Sequence, residues 1–284
     1  MHLFKKVSDL QYYLRSLKAA GKTIGFVPTM GALHQGHVSL IEASKAECDH
    51  TVCSIFVNPT QFNDPKDLDK YPRTPGADIE LLLACGCDIL FMPPVAEVYP
   101  PEGLKALDLD FGSLETVMEG EFRPGHFKGV AQVVHRLLEI VLPDRLYMGQ
   151  KDYQQVAIVR SMIRQTGLLV ALITCPTMRE ADGLAMSSRN LRLSPAAREE
   201  ATLIFRTLSY ARAQVGKLTP AEIQSTAFQQ LSAPGFRPEY FDLVDGDTLQ
   251  PVRSFEESAV VVACTAVWLD GVRLIDNMIL KAPE

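Results

Sequence analysis

The sequence predicts an α/β fold, a doubly wound parallel sheet followed by a smaller α+β domain. Three observations carry that prediction. The first half alternates short apolar runs with helical periodicity, the rhythm of a parallel sheet covered on both faces. The pattern changes after Pro176, where two well-capped helix starts give way to β-like runs. The length of 284 residues, with 47% hydrophobic and 22% charged, suits one large domain or two modest ones with a real core. Domains 1–176 and 177–284 are the expected division.

The expected strands of the first half are Thr23–Pro28 (TIGFVP), Thr51–Asn58 (TVCSIFVN), Asp88–Met92 (DILFM), Arg145–Gly149 (RLYMG) and Leu169–Thr174 (LVALIT). Each is short, β-branched or aromatic, and bounded by Gly, Pro or Asn. Val130, Val133, Val134, Leu137, Leu138 and Val141 fall on one face of a helix packed on that sheet. In the second half Ser194-Pro195 supplies a cap and an N1 proline, and Thr219 to Glu222 reads as a capping box, so two helices are expected. The runs YFDLVDGDTL, VVVACTAVWL and VRLIDNMIL, the last two joined by Asp270-Gly271, predict a small antiparallel sheet. Two irregular stretches, 59–75 and 93–127, are rich in Pro, Gly and charge, and long loops of that kind are often functional.

Charge and cysteine usage narrow the function classes. With 28 basic against 34 acidic residues and a net charge of −6, the chain lacks the basic footprint of a nucleic-acid binder. Cysteines 48, 53, 85, 87, 175 and 264 form no C-x-x-C, and a chain of this size needs no stapling, so they read as reduced, mostly buried thiols. Cys85-x-Cys87 stands without a second Cys/His pair at zinc spacing and reads as the entrance to a strand; no metal ligand is assigned. The longest apolar run, Ala259 to Leu269, falls short of the ~20 residues of a membrane span. A cytoplasmic protein with neither membrane nor nucleic-acid partners is the expectation.

In open α/β sheets ligands sit beyond the carboxyl ends of the strands. After the first expected strand comes Met30-Gly31-Ala32-Leu33-His34-Gln35-Gly36-His37, then a helix. Its first turn offers free N–H groups and a positive dipole end, and Gly36 admits a phosphate close to the backbone. His34 and His37, three apart, can face one side and reach a triphosphate, where protonated imidazole would stabilise charge on an α-phosphate; the competing reading is a pair of solvated helix-cap histidines. Neither a P-loop nor a G-x-G-x-x-G fingerprint is present, so a nucleotide must be held another way.

Asn58 and Gln61 put two amides after the next strand. They suit a hydroxyl- and carboxylate-bearing substrate, or equally a bend around Pro59. After the fourth expected strand come Gly149, Gln150, Lys151, Asp152 and, one turn into a helix, Gln155. A lysine at a helix N-terminus opposes the dipole, which makes Lys151 a candidate for an anion in front of it, while Asp152 is a residue type that caps helices. At the domain junction Met178, Gly183, Met186, Ser187, Ser188 and Arg189 belong to either a mobile anion-binding loop or a polar linker. Arg123 and His126, in the second long loop, either serve the substrate or tie the loop down. His2, His50 and His135 are assigned structural roles.

Together PTMGALHQGH, NPTQF, RPGHF, GQKDYQQ and READGLAMSSRN resemble the pantothenate synthetase family, the pantoate:β-alanine ligases of the nucleotidyltransferase superfamily. The likeness spans the chain, with the motifs in family order. It implies a Rossmann-like domain of the HxGH type with a C-terminal lid domain, and a homodimer. The implied reaction is ATP-dependent: pantoate attacks the α-phosphate to give pantoyl adenylate and pyrophosphate, and the amine of β-alanine then displaces AMP, with Mg2+ accompanying ATP. Carried over by motif, Met30 to His37 form the ATP loop, with His37 as proton donor. Gln61 and Gln155 hold pantoate, and Gly149 to Asp152 contact ATP, with Lys151 on the phosphates. Met178 and Met186 to Arg189 complete the nucleotide pocket, with Ser187 and Arg189 on phosphate. Thr60 and Gln150 stand where a Met and an acidic residue are common in the family. A direct nucleotidyltransferase or a nucleotide-sensing module are the competing readings; neither would need pantoate and an amine acceptor together.

Overall fold

The order of strands in the larger sheet decides where ligands can gather. In the computed structural model, which describes residues 1–62, 68, 69, 71–101, 103 and 107–283, six parallel strands stand in the order β1-β4-β3-β2-β5-β6. They are β1 (His2–Phe4), β2 (Ile24–Thr29), β3 (His50–Ile55), β4 (Ile89–Phe91), β5 (Arg145–Gly149) and β6 (Ala171–Cys175). The winding reverses between β2 and β5, so the loops at their carboxyl ends flank the switch point.

Helices α1 (Val7–Ala19), α2 (Gln35–Glu47), α3 (Pro75–Ala84), α4 (Val95–Val98), α5 (Glu119–Phe122), α6 (His126–Val141) and α7 (Tyr153–Thr166) belong to the first half of the chain. The six apolar residues expected on one face are all buried on α6. Val27, Ile41, Cys53, Leu82, Leu90 and Tyr147 form part of a continuous core of β2–β5 with α2 and α3. One strand escaped the sequence reading: β1 is three residues long, too short to show alternation. The expected strand Thr51–Asn58 ends early, at Ile55, because Asn58 instead caps the 3-10 turn Pro59–Gln61. The expected loop 59–75 lies partly outside the described residues.

The second half holds α8 (Pro195–Glu200), α9 (Thr202–Ala213) and α10 (Pro220–Leu231), then β7 (Phe236–Asp245), β8 (Val261–Leu269) and β9 (Val272–Lys281) in one antiparallel sheet. The two expected helices become three, because the helix capped by Ser194 gives way at Ala201 to a second one. Thr219 and Glu222 form the expected capping box. Asp270 (φ 52°) and Gly271 (φ 68°) turn the β8–β9 hairpin, as a two-residue turn with both residues left-handed requires. Ile204, Leu208, Ile223, Leu231, Phe241 and Val267 are among the side chains that fill the space between helices and sheet.

The chain resolves into two compact units. One comprises Met1–Phe111, Arg123–Gly149 and Gln155–Pro176; the other comprises Gly112–Phe122, Gln150–Gln154 and everything from Thr177. Short pieces of the first half thus fold with the second. Gln154 anchors one of them: its Nε2 donates to the carbonyls of Leu114 (2.7 Å) and Val117 (2.8 Å), and its Oε1 accepts from the Glu119 N–H. Glu119 in turn receives a bidentate pair from Arg273 on β9, at 2.6 and 2.7 Å, and the Tyr240 hydroxyl at 2.8 Å. A buried carboxylate is tolerable only when paired in this way.

Candidate active site

The candidate residues divide between the two units. In the first, β2 ends at Thr29, whose hydroxyl donates to the Ser54 carbonyl at 2.7 Å and accepts from the Gly31 N–H at 3.2 Å. Gly31 (φ 85°) and Ala32 (φ 49°) are both left-handed. Two successive N–H groups in that conformation point the same way, and here they find a carboxylate. Asp78, on the first turn of α3 and 2% exposed, accepts from Ala32 N at 3.0 Å, Leu33 N at 2.8 Å and the Thr74 hydroxyl at 3.1 Å.

The loop then enters α2 through a capping box made of histidines. His34 Nδ1 accepts from Gly36 N at 3.1 Å, and His37 Nδ1 accepts from His34 N at 3.3 Å. The rings stand 4.2 Å apart. An imidazole nitrogen that accepts carries no proton, so each ring presents its N–H at Nε2. A ring protonated at both nitrogens could not accept in this cap. Capping engages Nδ1 of both rings, so the cap reading does not by itself exclude the chemical one.

Asn58 and Gln61 sit together after β3. The Asn58 side chain is consumed by the fold: Oδ1 accepts from Thr60 N, the Thr60 hydroxyl and the Tyr99 hydroxyl (2.8 Å), and Nδ2 donates to Gln61 Oε1 (3.2 Å) and the Gly129 carbonyl (3.3 Å). Asn58 thus sets Gln61, whose Nε2 in turn lies 3.0 Å from the Met30 sulfur of the β2–α2 loop. Arg123 and His126 also converge on this turn. His126 Nδ1 donates to the Gln61 carbonyl at 2.8 Å and Nε2 accepts from Arg123 Nη1 at 3.1 Å. Of the two roles open for RPGHF, this geometry supplies the tie. Gln155 is half-buried on the first turn of α7 and makes no side-chain hydrogen bond to the described residues.

In the second unit Gln150–Asp152 form a 3-10 turn running straight into α7. Lys151 is 17% exposed, with Nζ 3.8 Å from Asp152 Oδ1. The segment Met178–Arg189 is a tight hairpin and not an open linker: Met186 N donates to Met178 O at 3.0 Å and Glu180 N to Leu184 O at 2.8 Å. Arg179 anchors it with a bidentate pair to Asp276 (2.6 and 3.0 Å), a bond to the Gly183 carbonyl (3.1 Å) and a stack over Phe205. Ser187 caps a 3-10 turn over Ser188–Arg192 by accepting from Arg189 N at 3.2 Å. Among the described residues no group of three or more His, Cys, Asp or Glu is arranged to hold a metal ion.

Comparison with known proteins decides the family. A family model described as pantoate-beta-alanine ligase matches residues 2–279. The chain belongs to the pantoate-beta-alanine ligase family. It is therefore a ligase, and its relatives agree along their whole length. A pantothenate synthetase of Bacteroides thetaiotaomicron is 50% identical over 282 residues, covering 99% of both chains. The crystal structure of pantothenate synthetase from Thermus thermophilus superposes with a TM-score of 0.93 at 40% identity, covering 99% of this chain and 100% of that one. That of pantoate-beta-alanine ligase from Francisella tularensis, solved in complex with beta-gamma ATP and beta-alanine, gives 0.81 at 35% identity, covering 99% and 98%.

Around the candidate site of this pantoate-beta-alanine ligase stand supporting residues that sequence reasoning missed. Asp78 looks like any acidic residue in a first helical turn, and nothing local says that its partner is a loop 45 residues earlier. Gly129 is hidden in a helix, yet a Cβ there would lie 2.5 Å from the Thr60 carbonyl. Asp276 and Asn277 did give a signal, as adjacent polar residues in the apolar strand VRLIDNMILK, 4% and 2% exposed.

Proposed function

We propose that the chain condenses (R)-pantoate with β-alanine at the expense of ATP, giving pantothenate, AMP and pyrophosphate through pantoyl adenylate. A carboxylate oxygen of pantoate attacks the α-phosphorus, the bond to the bridging oxygen breaks and pyrophosphate leaves. The β-alanine amine then attacks the acyl carbon, loses a proton and expels AMP. The substrate supplies the nucleophile, so the protein contributes positioning and charge stabilisation.

One observation carries this reading: a single loop joins the two chemistries. Its far end presents His34 and His37 at a helix N-terminus, suited to phosphate. Its near end, Met30, touches the Gln61 amide, suited to a hydroxy acid. In this reading Met30–His37, Gly149–Asp152, Met178 and Met186–Arg189 bind ATP. Lys151, Ser187 and Arg189 meet its phosphates, and His37 serves as proton donor from Nε2. Gln61 and Gln155 hold pantoate, while Asn58, Arg123 and His126 hold Gln61 in place. Residues 1–176, apart from 112–122 and 150–154, form the nucleotide- and pantoate-binding domain, and 177–284 with those two pieces the lid domain.

ATP enters as its Mg2+ complex, the ion arriving with the substrate. The chain works in the cytoplasm as a homodimer; its six cysteines are unpaired, as a reducing compartment demands, and no described helix is long and apolar enough to cross a membrane. Light scattering of the purified protein tests the dimer. The test of function is exchange of pyrophosphate into ATP with Mg2+, with and without pantoate, β-alanine being absent. Exchange that requires pantoate is expected. No exchange under conditions where ATP binds would overturn the reading in favour of a nucleotidyltransferase or a sensor.

A further inference from the structure

Strand β9 packs in an apolar core, where two adjacent polar residues must be fully bonded to be tolerated. Asn277 is. Its Nδ2 donates to two successive carbonyls, Gln150 O at 2.9 Å and Lys151 O at 2.8 Å, and its Oδ1 accepts from Gln150 Nε2 at 3.1 Å. Those two carbonyls belong to the peptide groups on either side of the Lys151 Cα. Holding both planes fixes the direction in which the Lys151 side chain leaves the backbone, since only φ and ψ at that one residue remain.

The next residue back is itself anchored. Asp276 accepts the Asn277 N–H at 2.7 Å and the bidentate Arg179 pair, and Arg179 Nη2 donates to the Asn277 carbonyl at 3.1 Å. Burial pushes the Asp276 carboxyl up, while Arg179 and Lys151 act against that shift. The hairpin that bears Ser187 and Arg189 and the turn that bears Lys151 therefore share one footing on β9.

We propose that Asn277 is a positioning residue for Lys151, acting through the Gln150 and Lys151 carbonyls, with the Arg179–Asp276 pair fixing Asn277 in turn. The proposal rests on the reading of Lys151 as a phosphate ligand. An asparagine that merely filled the core would leave the chemistry indifferent to its donors; one that aims Lys151 makes the reaction depend on them.

The test is a double-mutant cycle read by pantoate-dependent pyrophosphate exchange. Asn277→Asp keeps the shape but sets a carboxylate against the two carbonyls, and Asn277→Ser keeps one donor. The Asp variant is expected to slow exchange by roughly 10- to 100-fold, the scale of a misplaced group, and the Ser variant by less. In a Lys151→Ala background either substitution should change the rate by under about 2-fold, because contacting sites that act as a unit do not add. An unchanged Lys151→Ala rate would remove the ground for the proposal and the phosphate role of Lys151 with it. Loss in Lys151→Ala beside normal exchange in both Asn277 variants would overturn the positioning role alone. So would an equal fold-loss in the two backgrounds, which marks a general structural effect. Thermal unfolding shows which variants fold, and Asn277→Ser carries the cycle by itself if Asn277→Asp does not.

Discussion

His126 holds Gln61 by its backbone: Nδ1 of the buried ring donates to the Gln61 carbonyl at 2.8 Å, across 65 residues of sequence. The side chain proposed to meet pantoate is thus set from behind. His126→Phe keeps an aromatic ring, slightly larger, and loses that bond, worth about 1 kcal/mol. The KM for pantoate should rise by roughly 5- to 10-fold with a smaller change in kcat, checked by steady-state kinetics at saturating ATP and β-alanine. An unaltered KM would detach His126 from pantoate binding.

Gly129 tests the same turn from the other side. Any Cβ there meets backbone, with the Thr60 carbonyl at 2.5 Å and the Gln61 Cα at 2.9 Å, so no rotamer change relieves it. Gly129→Ala should cost about 1–3 kcal/mol, as overpacking does, and lower the melting temperature by roughly 2–10 °C. Calorimetry checks this, and a melting curve superimposable on wild type would refute it.

Asp78 is expected to matter for ATP without touching it. Asp78→Asn replaces one acceptor with an NH2 facing a backbone donor, either at Ala32 or at Leu33. The left-handed pair Gly31-Ala32 then loses half its support, and the KM for ATP should rise by about 10-fold, the cost of a charge-assisted bond. The measurement is an ATP titration of the exchange reaction. Loss of pantoate affinity with ATP affinity intact would place the effect elsewhere.

Removal of a preorganised donor costs about 10²-fold or more in rate, so His37→Ala and Lys151→Ala should each slow adenylation by that factor. Single-turnover formation of AMP or adenylate under quench conditions reads it directly. Because His37 Nδ1 caps α2, His37→Ala also removes a helix cap, and His37→Asn, which can still accept at that position, should recover stability without recovering the rate.

Asp242 gives a pH signature in stability. Burial raises its carboxyl to about 6, with Glu121 adding repulsion, while Gln224 donates to it at 2.9 Å. The folded state therefore binds more protons than the unfolded chain between about pH 4 and pH 6, and stability falls as pH rises through that window. Asp242→Asn keeps an acceptor for Gln224 and removes the titration. It should flatten this part of the pH profile and raise stability at pH 7 by about 2 kcal/mol, allowing for partial exposure. Urea melts at pH 4.5 and pH 7 decide the matter.

What the sequence disclosed and what it hid follow from the range of the forces involved. The capped starts at Ser194 and Thr219, the hairpin at Asp270-Gly271 and the apolar face of α6 rest on residues within a few positions of one another, and all were legible. So were the places of His34, His37 and Lys151 between strand and helix, because such a junction is a local pattern. The distant partners of the candidate segments were not. Asp78 reaches Leu33, Asn277 reaches Lys151 and His126 reaches Gln61 across 45, 126 and 65 residues, and only the folded chain brings them together. The limits of β3 were overrun for a related reason: Asn58 looks like the end of a strand until the Tyr99 hydroxyl and the Gly129 carbonyl are seen to claim its amide.

The division of the chain has a consequence for anyone who would cut it. The polypeptide passes from one compact unit to the other at five places, after Phe111, Phe122, Gly149, Gln154 and Pro176. Severed at residue 176, the C-terminal fragment would leave Glu119, Gln150 and Lys151 behind, so that Arg273 would keep Glu239 alone of its two carboxylate partners and the side chain of Asn277 would lose the groups it binds. The smaller unit is woven from three stretches of the gene and is no cassette. It cannot be borrowed for a chimera, or acquired by one, as a single uninterrupted piece.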